Sequence, residues 1–252
     1  LLVSLEIETP DPATRTGIAG VDVGIRYLAV TSSTRGKQSF HSGKQVVARA
    51  NHYARRRKRL QQKGTRSAKR RLLAISGRER RLKQDANHVV SKRIVTQYPH
   101  HLIGLEHLRD IRDRTRRKKA SKKQRKANAI FSKWSFAELQ HMIAYKAQLS
   151  GSLVITVDAN NTSKACPMCG HTCDANRPNK GLLFVCQKCH YTLHADLVGA
   201  RNLAMRTVLI RQDWMSTGTL SECPDVSDKE AKAERLRRYS EVRWSLDTSP
   251  RS

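Results

Sequence analysis

Aromatic residues are scarce: Phe, Trp and Tyr together make up 5% of the 252 residues, which excludes a binding surface built mainly on stacked aromatic rings. Acidic residues are scarce as well. Asp+Glu 21 stand against Lys+Arg 49, which leaves a formal net charge of +28, a self-repulsion that requires an anionic partner. No stretch approaches the roughly 18 to 20 uninterrupted apolar residues of a membrane helix, and the start lacks the charged-then-apolar pattern of a signal peptide. The reading is therefore an intracellular protein without a membrane partner. The apolar share of 38% still suffices for a packed core, so a wholly disordered basic tail is excluded. The length fits one large domain or two small ones.

The charge is concentrated. From Arg49 to Lys126 there are 28 basic and 5 acidic residues. Within that span Arg55, Arg56, Arg57, Lys58 and Arg59, then Lys69, Arg70 and Arg71, then Arg116, Arg117, Lys118 and Lys119 form runs that offer repeated, salt-dependent and sequence-blind phosphate contacts. A charge run is usually a solvated face, but this density assigns the runs to nucleic-acid binding. From Arg211 to Ser252 the count is 8 basic against 8 acidic, and this neutral, polar tail is expected to be disordered.

Local patterns give the organisation. LLVSLEIE (1–8) reads as a strand, and GIAGVDVGIRYLAVTSS (17–33) as a buried strand pair, or one long bent strand, around Asp22. Segments 45–63 and 68–98 read as basic amphipathic helices joined near Gly64, with Leu72, Ile75, Leu82, Ala86, Val89 and Ile94 on the inner face of the second. HLIGLEHL (101–108) is a short apolar run that carries Glu106 at its end. A helix over 136–151 with a Gly stop, a strand over 153–158 and a helix over 194–210 with Asp196 near its start complete the pattern. Strands alternating with helices predict an α/β architecture around a mixed sheet.

Six cysteines are present, five of them within residues 166–189, which points to a local metal site and away from a disulfide framework. Cys166-Pro-Met-Cys169 and Cys186-Gln-Lys-Cys189 have the spacing of two knuckles around a tetrahedral Zn2+. Four thiolates leave no open position, so the ion is expected to be structural. Unrelated buried cysteines or a redox pair are the alternative. His171 and Cys173 are competing ligands whose spacing breaks the symmetry, and Cys223 is a bystander. Arg177, Asn179, Lys180 and Gly181 between the pairs form a basic tip that either touches a phosphate or is solvated.

Three carboxylates draw notice together. Asp22 lies inside an apolar strand, Glu106 at a strand end, and Asp196 at a helix start. Buried carboxylates in so basic a chain need a cationic partner or a metal. Hard cations take oxygen ligands, and phosphoryl transfer supplies a use for them, since two Mg2+ about 4 Å apart clamp attacking and leaving oxygens. The plainer alternatives are a dipole-stabilising residue for Asp196 and an ion pair of Glu106 with Arg109 or His107.

The ordered set GVDVGIRYLAVTSS, IGLEHLRDIR, NTSKACPMCGH and VCQKCHYTLHADLVGARN resembles the RuvC-like nuclease core and zinc ribbon of the TnpB/OrfB proteins of insertion sequences, relatives of the type V CRISPR effectors; it runs from about residue 17 to about 208. The resemblance implies an α/β fold, an RNase H-like (RuvC) mixed sheet with a basic helical hairpin insertion and an inserted four-Cys zinc ribbon. Its implied layout is a core over 1–162 with the insertion at about 45–98, the ribbon over 163–192, a last core helix over 193–210 and the tail 211–252. It further implies that Asp22, Glu106 and Asp196 are the catalytic residues and ligands of two Mg2+. Cys166, Cys169, Cys186 and Cys189 are then the ligands of a structural Zn2+. The implied activity is that of a prokaryotic, cytoplasmic DNA endonuclease that meets the nucleoid through its target, guided by a transposon-derived RNA, with no small-molecule substrate.

Departures are also present. Family members carry a further N-terminal region ahead of the first catalytic strand, whereas about sixteen residues precede it here and the chain starts at Leu1; the expectation is the C-terminal part of a longer protein or a truncated copy. His107, Ala159 and Leu197-Val198-Gly199 differ from the usual residues. The alternative readings are a catalytically silent zinc-ribbon nucleic-acid binder or regulator of transposition, and a strand-transfer transposase using the same carboxylate chemistry.

Overall fold

A computed structural model of the chain describes residues 17–24, 26–107, 134–178, 181–219 and 229–245, with 6, 8, 11, 14 and 15 ahead of them. β1 (Gly17–Val23) and β2 (Tyr27–Ser33) form an antiparallel hairpin, and β3 (Gln38–Ser42) adds to the β2 edge. α1 (Lys44–Lys63) and α2 (Arg66–Gln97) follow as a helical hairpin. β4 (His101–Glu106) returns parallel to β1, and after α3 (Phe136–Leu149), β5 (Leu153–Val157) lies parallel to β4. The result is a mixed five-stranded sheet in the order β3-β2-β1-β4-β5. A small sheet of β6 (Leu183–Val185) and β7 (Thr192–His194) leads into α4 (Ala195–Thr217), and α5 (Lys229–Glu241) comes last.

The strand period of two decides which face each side chain joins. Ala19, Val21, Val23, Ile103 and Leu105 pack with Val90, Ile94, Leu139 and Ile143, so α2 and α3 cover one face. Ile18, Leu102, Ile155 and Val157 pack with Leu203 and Ile210, so α4 covers the other. On that second face Gly20 and Gly104 are direct partners in the parallel β1–β4 ladder. A Cβ at Gly20 would fall on the backbone of Ala200 and Ala204, and one at Gly104 on the Thr207 hydroxyl. The paired glycines are thus a groove in the sheet in which α4 lies close.

The helical hairpin turns at Gly64, in the left-handed region at φ 66, and α2 starts with Thr65 Oγ1 accepting from the Ala68 N–H at 3.2 Å. Glu79 of α2 is buried and clamps the two helices through Arg57 at 2.8 Å, with Lys83 at 3.1 Å on its other oxygen. The inner face of α2 includes Ile75 and Ile94, but Val89 is exposed and Val90 is buried in its place, because α3 meets the C-terminal half of α2 at a slightly rotated face.

Two further features differ from the sequence reading. β3 was not foreseen, since an edge strand with no apolar run (Gln38, Ser39, Phe40, His41, Ser42) has a weak pattern. The expected disorder of 211–252 is corrected over its described part: α4 runs on to Thr217, and α5 forms although none of its own residues is buried. That helix is held by long-range contacts invisible to local patterning. Arg238 pairs with Asp213 at 2.6 Å, Tyr239 lies 4.3 Å from the Arg206 guanidinium, and beyond the helix Trp244 packs on Ala204 and Met205. The strand expected over 1–8 lies outside the described residues except for Glu6 and Glu8, which are exposed and in no element.

Candidate active site and metal centre

Asp22 is the next-to-last residue of β1 and Glu106 the last of β4. The parallel ladder ends at Val21 opposite Leu105, so one step further the two carboxylates stand side by side, both on the face that α4 covers. α4 approaches with Gly199 so close that a Cβ there would sit 2.8 Å from Asp22 Oδ2. This seats the first turn of α4, and with it Asp196, at the same end of the sheet. His194 caps the helix, its Nδ1 accepting from the Asp196 N–H at 3.3 Å. The structure therefore brings all three residues to one place.

The electrostatics report the same convergence. Burial, then the charges of Glu106 and Asp196, push the Asp22 carboxyl well above the usual carboxylate range, with Arg177 pulling weakly the other way. Burial raises Glu106 to about 7. Arg177 of the ribbon extends its Nη2 to Asp196 Oδ1 at 3.4 Å while its Nε donates to the Gly181 carbonyl at 2.9 Å. From the opposite side of the sheet Gln140 of α3 donates to the Glu106 main-chain carbonyl at 2.9 Å. Of these supporting groups the sequence pointed to Arg177 alone, as a basic tip. Gly20, Gly104, Gly199, Gln140 and His194 were missed, and a glycine inside an apolar strand was the one available signal.

The four cysteines of the two Cys-x-x-Cys pairs form a cluster that could hold a metal ion. The four Sγ atoms all lie within 4.8 Å of one another, with Cys166–Cys189 at 3.6 Å and Cys169–Cys186 at 3.5 Å. Thiolates at about 2.3 Å from one tetrahedral ion are about 3.8 Å apart, so the spacing fits. The two knuckles repeat one backbone plan: Gly170 and His190, each just past a Cys-x-x-Cys, take φ 74 and φ 57, and their N–H groups donate to the Cys166 and Cys186 carbonyls at 2.9 and 3.0 Å. Burial pushes the Cys166 thiol up to about 12; at Cys186 burial is outweighed by N–H donors from Cys189 and Lys188 and by neighbouring thiols, which bring it to about 7. Cys173 stays outside the quartet, and Cys223 lies outside the described residues. Asn202 of α4 fastens the ribbon to the core by donating to the Thr162 and Ala165 carbonyls at 2.6 and 2.9 Å.

Arg55, Arg56, Lys58 and Arg59 are exposed along α1, and Lys69, Arg70 and Arg71 along the start of α2. Arg57 is engaged by Glu79. Arg116, Arg117, Lys118 and Lys119 lie outside the described residues. Among the described residues no helix is long and apolar enough to cross a membrane.

The chain has an α/β fold, a mixed five-stranded sheet crossed by α4 and followed by a four-cysteine ribbon, which is the arrangement the RuvC-like resemblance implies. Residues 2–113 match the family model described as OrfB of IS605, probable transposase, and residues 136–203 match the Cas12f1-like TNB domain. A TnpB-like protein of Methanocaldococcus jannaschii is 33% identical over 130 residues, 51% of this chain and 44% of that protein. The CRISPR-associated endodeoxyribonuclease Cas12f1 of Sulfoacidibacillus thermotolerans is 37% identical over 75 residues, 30% of this chain and 18% of that one. Among solved structures a Cas12f1–sgRNA–target DNA complex superposes with a TM-score of 0.58 over 79% of this chain and 52% of its own, at 23% identity, which establishes the shared fold. Over these segments the chain is similar to TnpB-like proteins and to Cas12f1 nucleases. It spans less than half the length of these curated relatives.

Proposed function

We propose that this chain is the nuclease portion of an RNA-guided, metal-dependent DNA endonuclease. The observation that carries the reading is the meeting of Asp22, Glu106 and Asp196 at one end of the sheet, with Asp22 raised by burial and by both neighbours. A closely set group of buried carboxylates is destabilised in its charged form unless a cation joins it, and its all-oxygen donor set fits Mg2+. Asp22, Glu106 and Asp196 would hold Mg2+, and Cys166, Cys169, Cys186 and Cys189 a structural Zn2+, the soft-donor counterpart. When bound, Mg2+ supplies charge neutralisation at a scissile phosphate and favours in-line displacement by water.

The chain's own residues do the positioning. Two carboxylates sit on rigid strands and the third on a helix seated in the glycine groove, so their spacing is fixed before substrate arrives. Arg177 holds Asp196 and presents a cation at the site's edge, where it can meet a phosphate. The exposed arginines and lysines of α1 and α2 track a nucleic-acid backbone, with target DNA and a transposon-derived guide RNA as partners. The relatives' names support this choice, one being an endodeoxyribonuclease and one solved neighbour a complex with guide and target. The proposed division is the core over 1–162, the ribbon over 163–192 and the closing helix, with the tail helix docked on it.

The test is cleavage of labelled target DNA in Mg2+, with and without transposon-end RNA, by the chain and by Asp22→Ala and Asp196→Ala. The expected result is cutting by the parent and a loss of at least about 100-fold in both variants, with salt-sensitive binding retained. Cutting that survives in both variants, or binding without any cutting by the parent, overturns the nuclease reading.

A further inference from the structure

Phe40 is more than a third exposed at the sheet edge, although the chain has few aromatics. Its position is set by the ladders: Asp22 pairs with Val30, and Val30 with Phe40. Asp22, Val30 and Phe40 therefore share one row across β1, β2 and β3, and all three side chains rise on the α4 face. Two strand spacings separate Phe40 from Asp22, about 10 Å. The ring is held from behind. Tyr27 meets it edge-to-face at 5.1 Å between centroids, and His194 does so at 5.1 Å, while Tyr27 and His194 meet at 5.6 Å. His194 is itself fixed by its cap bond to the Asp196 N–H. The three rings form a closed triangle, one corner tied to the carboxylate cluster, with Phe40 as the corner open to solvent.

We propose that Phe40 is the stacking platform for a base flanking the scissile phosphate in the DNA strand being cut, and that Tyr27 and His194 lock its ring in place. The inference rests on the nuclease reading for the identity of the strand. A basic surface that grips phosphates cannot by itself fix which phosphate reaches the carboxylates, because backbone contacts repeat at every nucleotide. A rigid ring in the same cross-strand row as Asp22, two strand spacings along the sheet, supplies that register, since a stacked base sets its own phosphate at a fixed offset. Stacking accepts every base, so this positions the strand without reading its sequence. Phe40 is a positioning residue that works through the substrate base and takes no part in the displacement.

The experiment places 2-aminopurine, one position at a time, around the cut in single-stranded target DNA, with Ca2+ replacing Mg2+ to keep the strand whole. Binding to the parent chain is expected to quench emission at one position, with quenching lost in Phe40→Ala and kept in Phe40→Trp. In Mg2+, Phe40→Ala should cut roughly 10-fold more slowly and spread the cut over neighbouring phosphates. An abasic site at the quenched position should slow the parent to the same degree and slow Phe40→Ala no further. Quenching that is unchanged in Phe40→Ala, or an abasic penalty that persists in full in that variant, overturns the proposal. Phe40-dependent quenching in a parent that does not cut would refute the nuclease reading and leave the platform standing; cutting without Phe40-dependent quenching would do the reverse. Equal melting temperature and metal content in parent and variants establish that the fold is intact.

Discussion

Asp22 and Glu106 share the ends of neighbouring strands, and each is raised by burial, Asp22 further by the charges beside it, Glu106 from 4.5 to about 7. An acid whose folded-state value lies above its unfolded one binds protons on folding. Its stabilising contribution is complete below the unfolded value and is lost as pH rises through the folded value. For Glu106 that window runs from 4.5 to about 7. In chelator, therefore, the melting temperature should fall between pH 5 and pH 8, and Mg2+ should restore it at pH 8 and do little at pH 5. Asp22→Asn should flatten both the pH and the Mg2+ dependence; parallel curves for parent and variant would refute the coupling. Gly199 acts on the same carboxylate by steric means. With a new Cβ 2.8 Å from Asp22 Oδ2, Gly199→Ala should cut about 100-fold more slowly through misplacement alone. Melting curves then separate this from unfolding, since a loss of activity that tracks a loss of fold would remove the positional explanation.

At the scale of elements, α4 is the piece that assembles the site, and the glycine pair beneath it sets how close it comes. Gly20→Ala forces a methyl group into the backbone of α4, so it should destabilise the chain by about 3 kcal/mol, the upper part of the usual overpacking range. Gly77→Ala is the matched contrast. Its Cβ would meet nothing nearer than Arg81 Nη1 at 3.6 Å, and in a helix interior the change should stabilise by about 0.5–1 kcal/mol. Denaturant midpoints for the two variants should move in opposite directions; movement in the same direction would show that helix-to-sheet distance does not decide the outcome. The same comparison shows where sequence reading stops. Short apolar, β-branched runs placed Asp22 and Glu106 on strands, and the amphipathic pattern of 194–210 placed Asp196 near a helix start, because those signals lie within a few residues of each position. The pairing of Gly20 with Gly104 spans more than 80 residues and leaves no mark near either. For the same reason the bond from Arg177 to Asp196 and the docking of α5 stayed out of sight, each fixed by a partner outside its own segment, whereas β3 was missed because QSFHS has no apolar run. The cysteine spacing was legible because both knuckles are complete local turns.

For the whole molecule the governing quantity is charge. A net +28 with exposed Arg55, Arg56, Lys58 and Arg59 on one helix of the hairpin makes counterion release the expected main source of the proposed nucleic-acid affinity. Each phosphate neutralised contributes about −0.9 to the slope of log affinity against log salt on duplex DNA. Replacing Arg55, Arg56 and Arg59 together by Gln should therefore reduce that slope by about 2 to 3, while the melting temperature hardly changes, since none of these side chains is buried. Arg57 should behave in the opposite way. Its guanidinium is committed to the buried Glu79 at 2.8 Å, so Arg57→Gln leaves that carboxylate with Lys83 alone, lowers stability by about 1 to 3 kcal/mol and leaves the salt slope nearly untouched. Four neighbouring positions in one arginine-rich run thus separate into an interface and a clamp. If the triple variant keeps the parent's slope, the hairpin is not the phosphate-tracking surface, and the excess charge acts through another part of the chain. If Arg57→Gln alters the slope as much as its neighbours do, the clamp opens in the bound state and Arg57 joins the phosphate contacts there.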